Sequence, residues 1–185
     1  MDYGLEKGKL LISEPFMQDV NFKKTVVLVC DYREEDGTVG FVLNKQTNLN
    51  INDLLFDFPE FESRVYYGGP VGVDTIHYIH CKGDIIDDSR VIIPGLFWGG
   101  SFEKIKFLIT AELLKPGDIK FFIGYSGWSP GQLEEEMDEK SWILGDMDKN
   151  YAFSNKIPDM WHHVLNSKGD NYKVIADMSD SFSLN

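Results

Sequence analysis

The run Thr25-Val26-Val27-Leu28-Val29-Cys30 constrains this chain more than any other feature. It holds the longest strongly apolar stretch of the sequence, far short of the ~20 residues that a membrane helix needs. Most of its residues are branched at Cβ, which suits the pleated surface of a buried strand better than a helical turn. Glu34-Glu35-Asp36-Gly37 follows as a hairpin turn, with glycine free to take a positive φ, and residues 38–44 read as the returning strand.

The pattern continues in short strands. Residues 64–67 and 75–81 read as two more, joined through Gly68-Gly69-Pro70-Val71, and residues 90–93 as another. Asn50 can N-cap a short helix over 51–56, ended before Pro59. Ser101 can cap a second helix over 102–114, stopped by Pro116-Gly117-Asp118, and residues 119–125 form a buried strand. Ser129, Pro130 and Gln132 fit the N-cap, N1 and N3 positions of a capping box, with Glu134, Glu135 and Glu136 at the positive end of the helix dipole. A helix over 157–166 and a last strand over 172–176 complete the reading. Strands dominate the first half and helices are interspersed later, so the expected class is α+β with a mainly antiparallel sheet. The 185 residues, 43% apolar and 14% aromatic, suffice for one core and are expected to form a single domain, 1–185.

Charge narrows the function. Eighteen basic against thirty acidic residues give a net charge of −12, which argues against direct nucleic-acid binding. Between Leu133 and Asp148 lie seven carboxylates and one lysine, half of that net charge. This stretch is either a solvated helix face or a docking surface for a basic partner, with Glu134, Glu135 and Asp138 as the contact residues. The N-terminus lacks a basic segment followed by an apolar one, so the expected compartment is the cytoplasm, with no membrane association. The two cysteines, Cys30 and Cys81, sit in apolar runs and are expected to be reduced.

Each catalytic pattern is incomplete. Gly124-Tyr125-Ser126-Gly127-Trp128 resembles a nucleophile elbow but carries Trp128 at the final glycine position, and its structural alternative is a strand-end turn. His77 and His80 would face opposite sides of a strand, and His162 and His163 would diverge on a helix, so zinc is not expected. Asp146-Met147-Asp148 begins like a calcium loop but has Tyr151 and Ile157 where glycine and glutamate belong. Gly68-Gly69-Pro70 could form a backbone nest for an anion or simply a tight connection. No metal or cofactor is implied.

Taken together, several blocks resemble the AlgH/YqgE family. They are Gly8-Lys9-Leu10-Leu11-Ile12-Ser13-Glu14-Pro15 with Asp19 and Phe22, and Gly40-Phe41-Val42-Leu43-Asn44-Lys45. Gly68-Gly69-Pro70-Val71, His80, and Gly124-Tyr125-Ser126-Gly127-Trp128 with Gly131-Gln132-Leu133-Glu134 follow in family order, as do Trp142, Phe153, Trp161 and the closing Ser183-Leu184-Asn185. Tyr32 stands where the family usually has a histidine, and Gln46 where it often has proline. The resemblance implies a branched sheet curled into a pseudo-barrel with flanking helices, in a bacterial cytoplasmic protein. It implies no reaction. Many members are labelled transcriptional regulators, yet no helix-turn-helix signal is present.

The expected function is a non-catalytic binding or regulatory domain acting through a protein or small-molecule partner, as monomer or homodimer. Its site would gather Asn44, Gly68, Gly69, His80, Tyr125, Ser126, Trp128 and Gln132. The alternatives are a hydrolase or transferase using His80, Ser126 or Asn44, and an indirect transcriptional regulator acting through a protein partner.

Overall fold

The computed structural model describes residues 3–153 and 159–183. Strands β1 (Lys9–Ser13), β2 (Val26–Arg33) and β3 (Gly37–Val42) form an antiparallel meander. Then come β4 (Gln46–Asn50), the short helix α1 (Ile51–Leu54), β5 (Arg64–Tyr67), β6 (Val71–His80), β7 (Arg90–Ile93) and β8 (Leu96–Trp98). Helix α2 (Phe102–Thr110) and a 3-10 turn at Pro116–Asp118 lead into β9 (Ile119–Trp128), the hub of the sheet. Helix α3 (Gln132–Asp138), β10 (Trp142–Asp146) and helices α4 (Lys149–Phe153), α5 (Met160–Asn166) and α6 (Asp170–Ser183) follow.

Among the described residues the ten strands run β10-β1-β2-β3-β9-β6-β8-β7, with β5 branching from β9 and β4 pairing with β5. All pairs are antiparallel except β5 with β9. The fold is therefore α+β with a branched, mainly antiparallel sheet. The path is not closed into a barrel, but it curls until its ends approach: Gly8, ahead of β1, abuts Ile93 at the end of β7.

Alternation along the strands sorts side chains into three cores. In β2, Val26, Leu28 and Cys30 face the inside of the curl, while Val27 and Val29 face outward. The inside is capped by α5 and α6 through Trp161, Val164, Leu165 and Ala176. The outer face of β1–β3 is covered by Leu133 of α3 with Trp128 and Trp142. The outer face of β5, β6 and β9 packs on α2 through Ile105, Leu108 and Ile109. Each fully buried aliphatic side chain contributes roughly 1.5–3 kcal/mol relative to exposure, so covering both faces of β2 explains its uninterrupted apolar run.

Several elements differ from the sequence expectation. Residues 172–176 are not a strand but lie in α6, because Tyr172, Ala176 and Ser179 recur at helical spacing on its packed face. Ser129 does not cap α3: Gly131 does, with φ 81°, although the Gln132 side chain still accepts from the Ser129 N–H at 3.0 Å. Helix α2 ends at Thr110, four residues earlier than expected, where Ala111 and Glu112 turn the chain. Ile157, the expected start of α5, and Leu184 and Asn185 lie outside the described residues, and α5 begins behind Asp159, whose carboxylate accepts from the His162 N–H.

Candidate functional site

Strand β9 positions the candidate site. On one side Tyr67 of β5 pairs with Ile123, and on the other Ile76 of β6 pairs with the same residue. Residues 68–70 are a tight strand-to-strand connection, and they carry the chain across β9 from one side to the other. The crossing is backbone against backbone. A Cβ on Gly68 would lie 2.3 Å from the Gly124 carbonyl oxygen, and one on Gly69 2.3 Å from the Tyr125 carbonyl. Only glycine permits so close an approach. The Gly68 carbonyl accepts from the Val42 N–H at 2.9 Å and from the Ser126 hydroxyl at 2.9 Å, and the Gly68 N–H donates to Ile123.

The structure thus brings Gly68, Gly69, Tyr125 and Ser126 together. Ser126 is wholly buried, its hydroxyl committed to the crossing. His80 is elsewhere. It pairs with Ile119, seven residues along β9 from Ser126, or about 23 Å at ~3.3 Å per residue. Its ring is buried against Phe97, and Nε2 lies 2.8 Å from the Gly99 carbonyl and 3.2 Å from the Ser89 hydroxyl. Burial lowers its pKa, so the neutral ring donates to Gly99. Asn44 clasps the start of β2: Oδ1 accepts from the Val26 N–H and Nδ2 donates to the Lys24 carbonyl, both at 2.9 Å.

Beside the crossing, a groove of about 620 Å³ opens. Tyr125, Gly127 and the buried Trp128 of β9 form its floor with Thr38 and Val39 of β3, and Val71, Asp31, Arg33, Asp36 and Arg90 flank it. Arg33 is held by Asp31 at 3.3 Å and Asp36 at 3.2 Å, whereas Arg90 rests on the Trp98 ring, 5.2 Å from its centroid. His77 packs edge-on to Tyr125, and burial lowers its pKa.

The acidic stretch is partly structural. Glu136 accepts from both indoles, Trp128 Nε1 at 2.9 Å and Trp142 Nε1 at 2.7 Å, and from Gln132 Nε2 at 3.0 Å. Glu134 accepts from the Tyr32 hydroxyl at 2.7 Å and Asp138 from the Tyr3 hydroxyl. Glu135 is exposed.

A profile of the AlgH-like family, DUF179, matches residues 10–173. The chain belongs to the AlgH-like family. Among its relatives, a UPF0301 protein of Chlorobaculum parvum is 39% identical over 98% of this chain and 96% of its own length. One from Cytophaga hutchinsonii is 41% identical over 94% and 95%. The solution structure of the AlgH protein from Pseudomonas aeruginosa superposes with a TM-score of 0.73 at 27% identity, covering 91% of this chain and 92% of that one. A Corynebacterium diphtheriae crystal structure gives 0.76 at 19% identity, over 94% and 95%, a likeness of fold. The names of the UPF0301 relatives and of the AlgH protein state no reaction.

Two residues that the sequence reading passed over matter here. Arg90 joins the groove only through the folding of the β7–β8 hairpin. Lys120 is 5% exposed on β9, its Nζ donating to the Leu43 carbonyl at 3.1 Å and lying 3.9 Å from the Tyr66 ring centroid. Burial lowers its pKa to about 7. The signal was present: a lone cation inside Ile119-Lys120-Phe121-Phe122-Ile123 breaks a buried strand pattern. Among the described residues no cluster of three or more His, Cys, Asp or Glu could hold a metal, and no helix is long and apolar enough to cross a membrane.

Proposed function

We propose that this AlgH-like chain is a single, non-catalytic binding domain of the cytoplasm whose ligand, a small planar anion, lies in the groove beside the β9 crossing. The observation that carries this reading is the convergence of Tyr125, Gly127 and Trp128 with Arg90 around one open groove. The half-buried Tyr125 ring beside the Arg90 guanidinium suits a flat, negatively charged molecule, while the groove's other guanidinium, Arg33, is taken up by Asp31 and Asp36. A binding role fits better than hydrolysis, since Ser126 and His80 sit far apart with their polar atoms bonded to backbone carbonyls. The unbridged thiols of Cys30 and Cys81 suit a reducing compartment. Docking of a basic partner on Glu134 and Asp138 has less support, because both carboxylates already accept from tyrosine hydroxyls.

Native mass spectrometry of the protein purified from its own host tests the reading. The expected result is a retained small molecule that is lost in Arg90→Ala while the circular dichroism spectrum is unchanged. A clean apo mass for the unaltered protein, at low salt as well as moderate salt, would overturn it.

A further inference from the structure

A second cavity lies toward the other end of β9, and the groove reading does not use it. In β9, Ile119, Phe121 and Ile123 face α2, so Lys120 and Phe122 face the other way, toward the interior of the curl. Lys120 lines a cavity of about 320 Å³, together with Gln46, Asn50, Ser63, Arg64 and Tyr66. That volume lies in the range of small-molecule sites. Burial among apolar strands would leave an ammonium there with one carbonyl and one ring face in place of water. No carboxylate contributes to its titration, so its amine is substantially neutral near pH 7 and able to act as a nucleophile. The other ionisable groups on the cavity wall are Glu62, Arg64 and Tyr66. Arg64 sits exposed at the cavity, one of its nitrogens donating to the Asn48 carbonyl at 2.7 Å. A guanidinium carries five donors, and its fork matches a carboxylate.

We propose that this cavity takes a small 2-oxo acid, whose carboxylate lies on Arg64 and whose carbonyl carbon is attacked reversibly by the Lys120 amine. The nitrogen lone pair forms the new N–C bond, the carbonyl π pair moves onto oxygen, and one amine proton passes to that oxygen, giving a carbinolamine. The second amine proton then passes to the hydroxyl, the C–O bond breaks as water departs, and the nitrogen lone pair forms the C=N bond. Amine plus carbonyl becomes imine plus water, with no change of oxidation state.

Glyoxylate with cyanoborohydride, which reduces the imine to a stable secondary amine, tests this on the full chain. Peptide mapping is expected to place the adduct on Lys120 ahead of exposed lysines such as Lys140. The Lys120 labelling rate should rise through about pH 7, where surface lysines with pKa values near ~10.4 stay almost unreactive. Arg64→Gln should slow labelling by glyoxylate about tenfold, the loss of one charge-assisted pair, and leave labelling by propanal unchanged. Labelling of Lys120 no faster than of Lys140 in the unaltered protein would overturn the proposal. Equal effects of Arg64→Gln on glyoxylate and propanal would overturn the assignment of the carboxylate. Neither result depends on a Lys120 variant that must fold, and neither is affected by occupancy of the groove at the opposite end of β9.

Discussion

Glu136 shows how a residue from an acidic run can be structural. Its carboxylate takes two indole N–H groups from Trp128 and Trp142, both nearly buried. Glu136→Ala leaves those donors without an acceptor, and the expected loss is about 2–3 kcal/mol, read by urea unfolding. Glu136→Gln keeps an acceptor oxygen and should lose clearly less. Lys120 is the opposite case, a charge that costs stability. Its folded pKa is lowered to about 7 from an ordinary 10.5, so between those values the unfolded chain holds more protons and stability rises with pH. Lys120→Met is expected to stabilise the fold most below pH 7, with the gain shrinking toward pH 10. Equal effects of Lys120→Met on unfolding at pH 6 and pH 9.5 would contradict the lowered pKa.

Among the elements, the β9 crossing leaves no room for a side chain. A Cβ at Gly69 meets the Tyr125 carbonyl and the Ser126 nitrogen at 2.3–2.4 Å, whereas one at Gly131 meets nothing within 4 Å. Both glycines have positive φ, 149° and 81°, so alanine is strained at either site. The clash separates them. Gly131→Ala should cost about 1 kcal/mol, and Gly69→Ala about 3 kcal/mol or more, with strain and a backbone clash combined. Similar thermal midpoints for the two variants would show that the crossing can relax. Helix α5 depends on its cap: the Asp159 carboxylate accepts from the His162 N–H at 3.2 Å and lies 2.6 Å from its Nδ1. Asp159→Ala should lower stability by about 1 kcal/mol.

For the whole molecule, the net charge of −12 makes self-repulsion a general term. Raising ionic strength from about 0.02 M to about 0.3 M shortens the screening length severalfold, and the thermal midpoint is expected to rise. A midpoint that falls with salt would mean that ion pairs such as Lys9 with Asp146 outweigh the repulsion. What the sequence determined by itself was local. The strand runs behind β2, β5, β7 and β9, the turn before Gly37 and the Ser101 cap follow from alternation, turn chemistry and capping within a few residues. The AlgH/YqgE blocks also lie on contiguous residues, so membership of the AlgH-like family was legible. Strand β4 was not, because its Gln46-Thr47-Asn48-Leu49-Asn50 is polar and pairs with β5 alone. Residues 172–176 read as a strand rather than as part of helix α6 because the packed side of that helix is set by residues of distant elements. The passage of residues 68–70 over β9, the entry of Arg90 into the groove and the enclosure of Lys120 were decided by tertiary structure alone. Each depends on which strands flank β9, and that choice is made by contacts between residues some tens of positions apart, which no local pattern encodes.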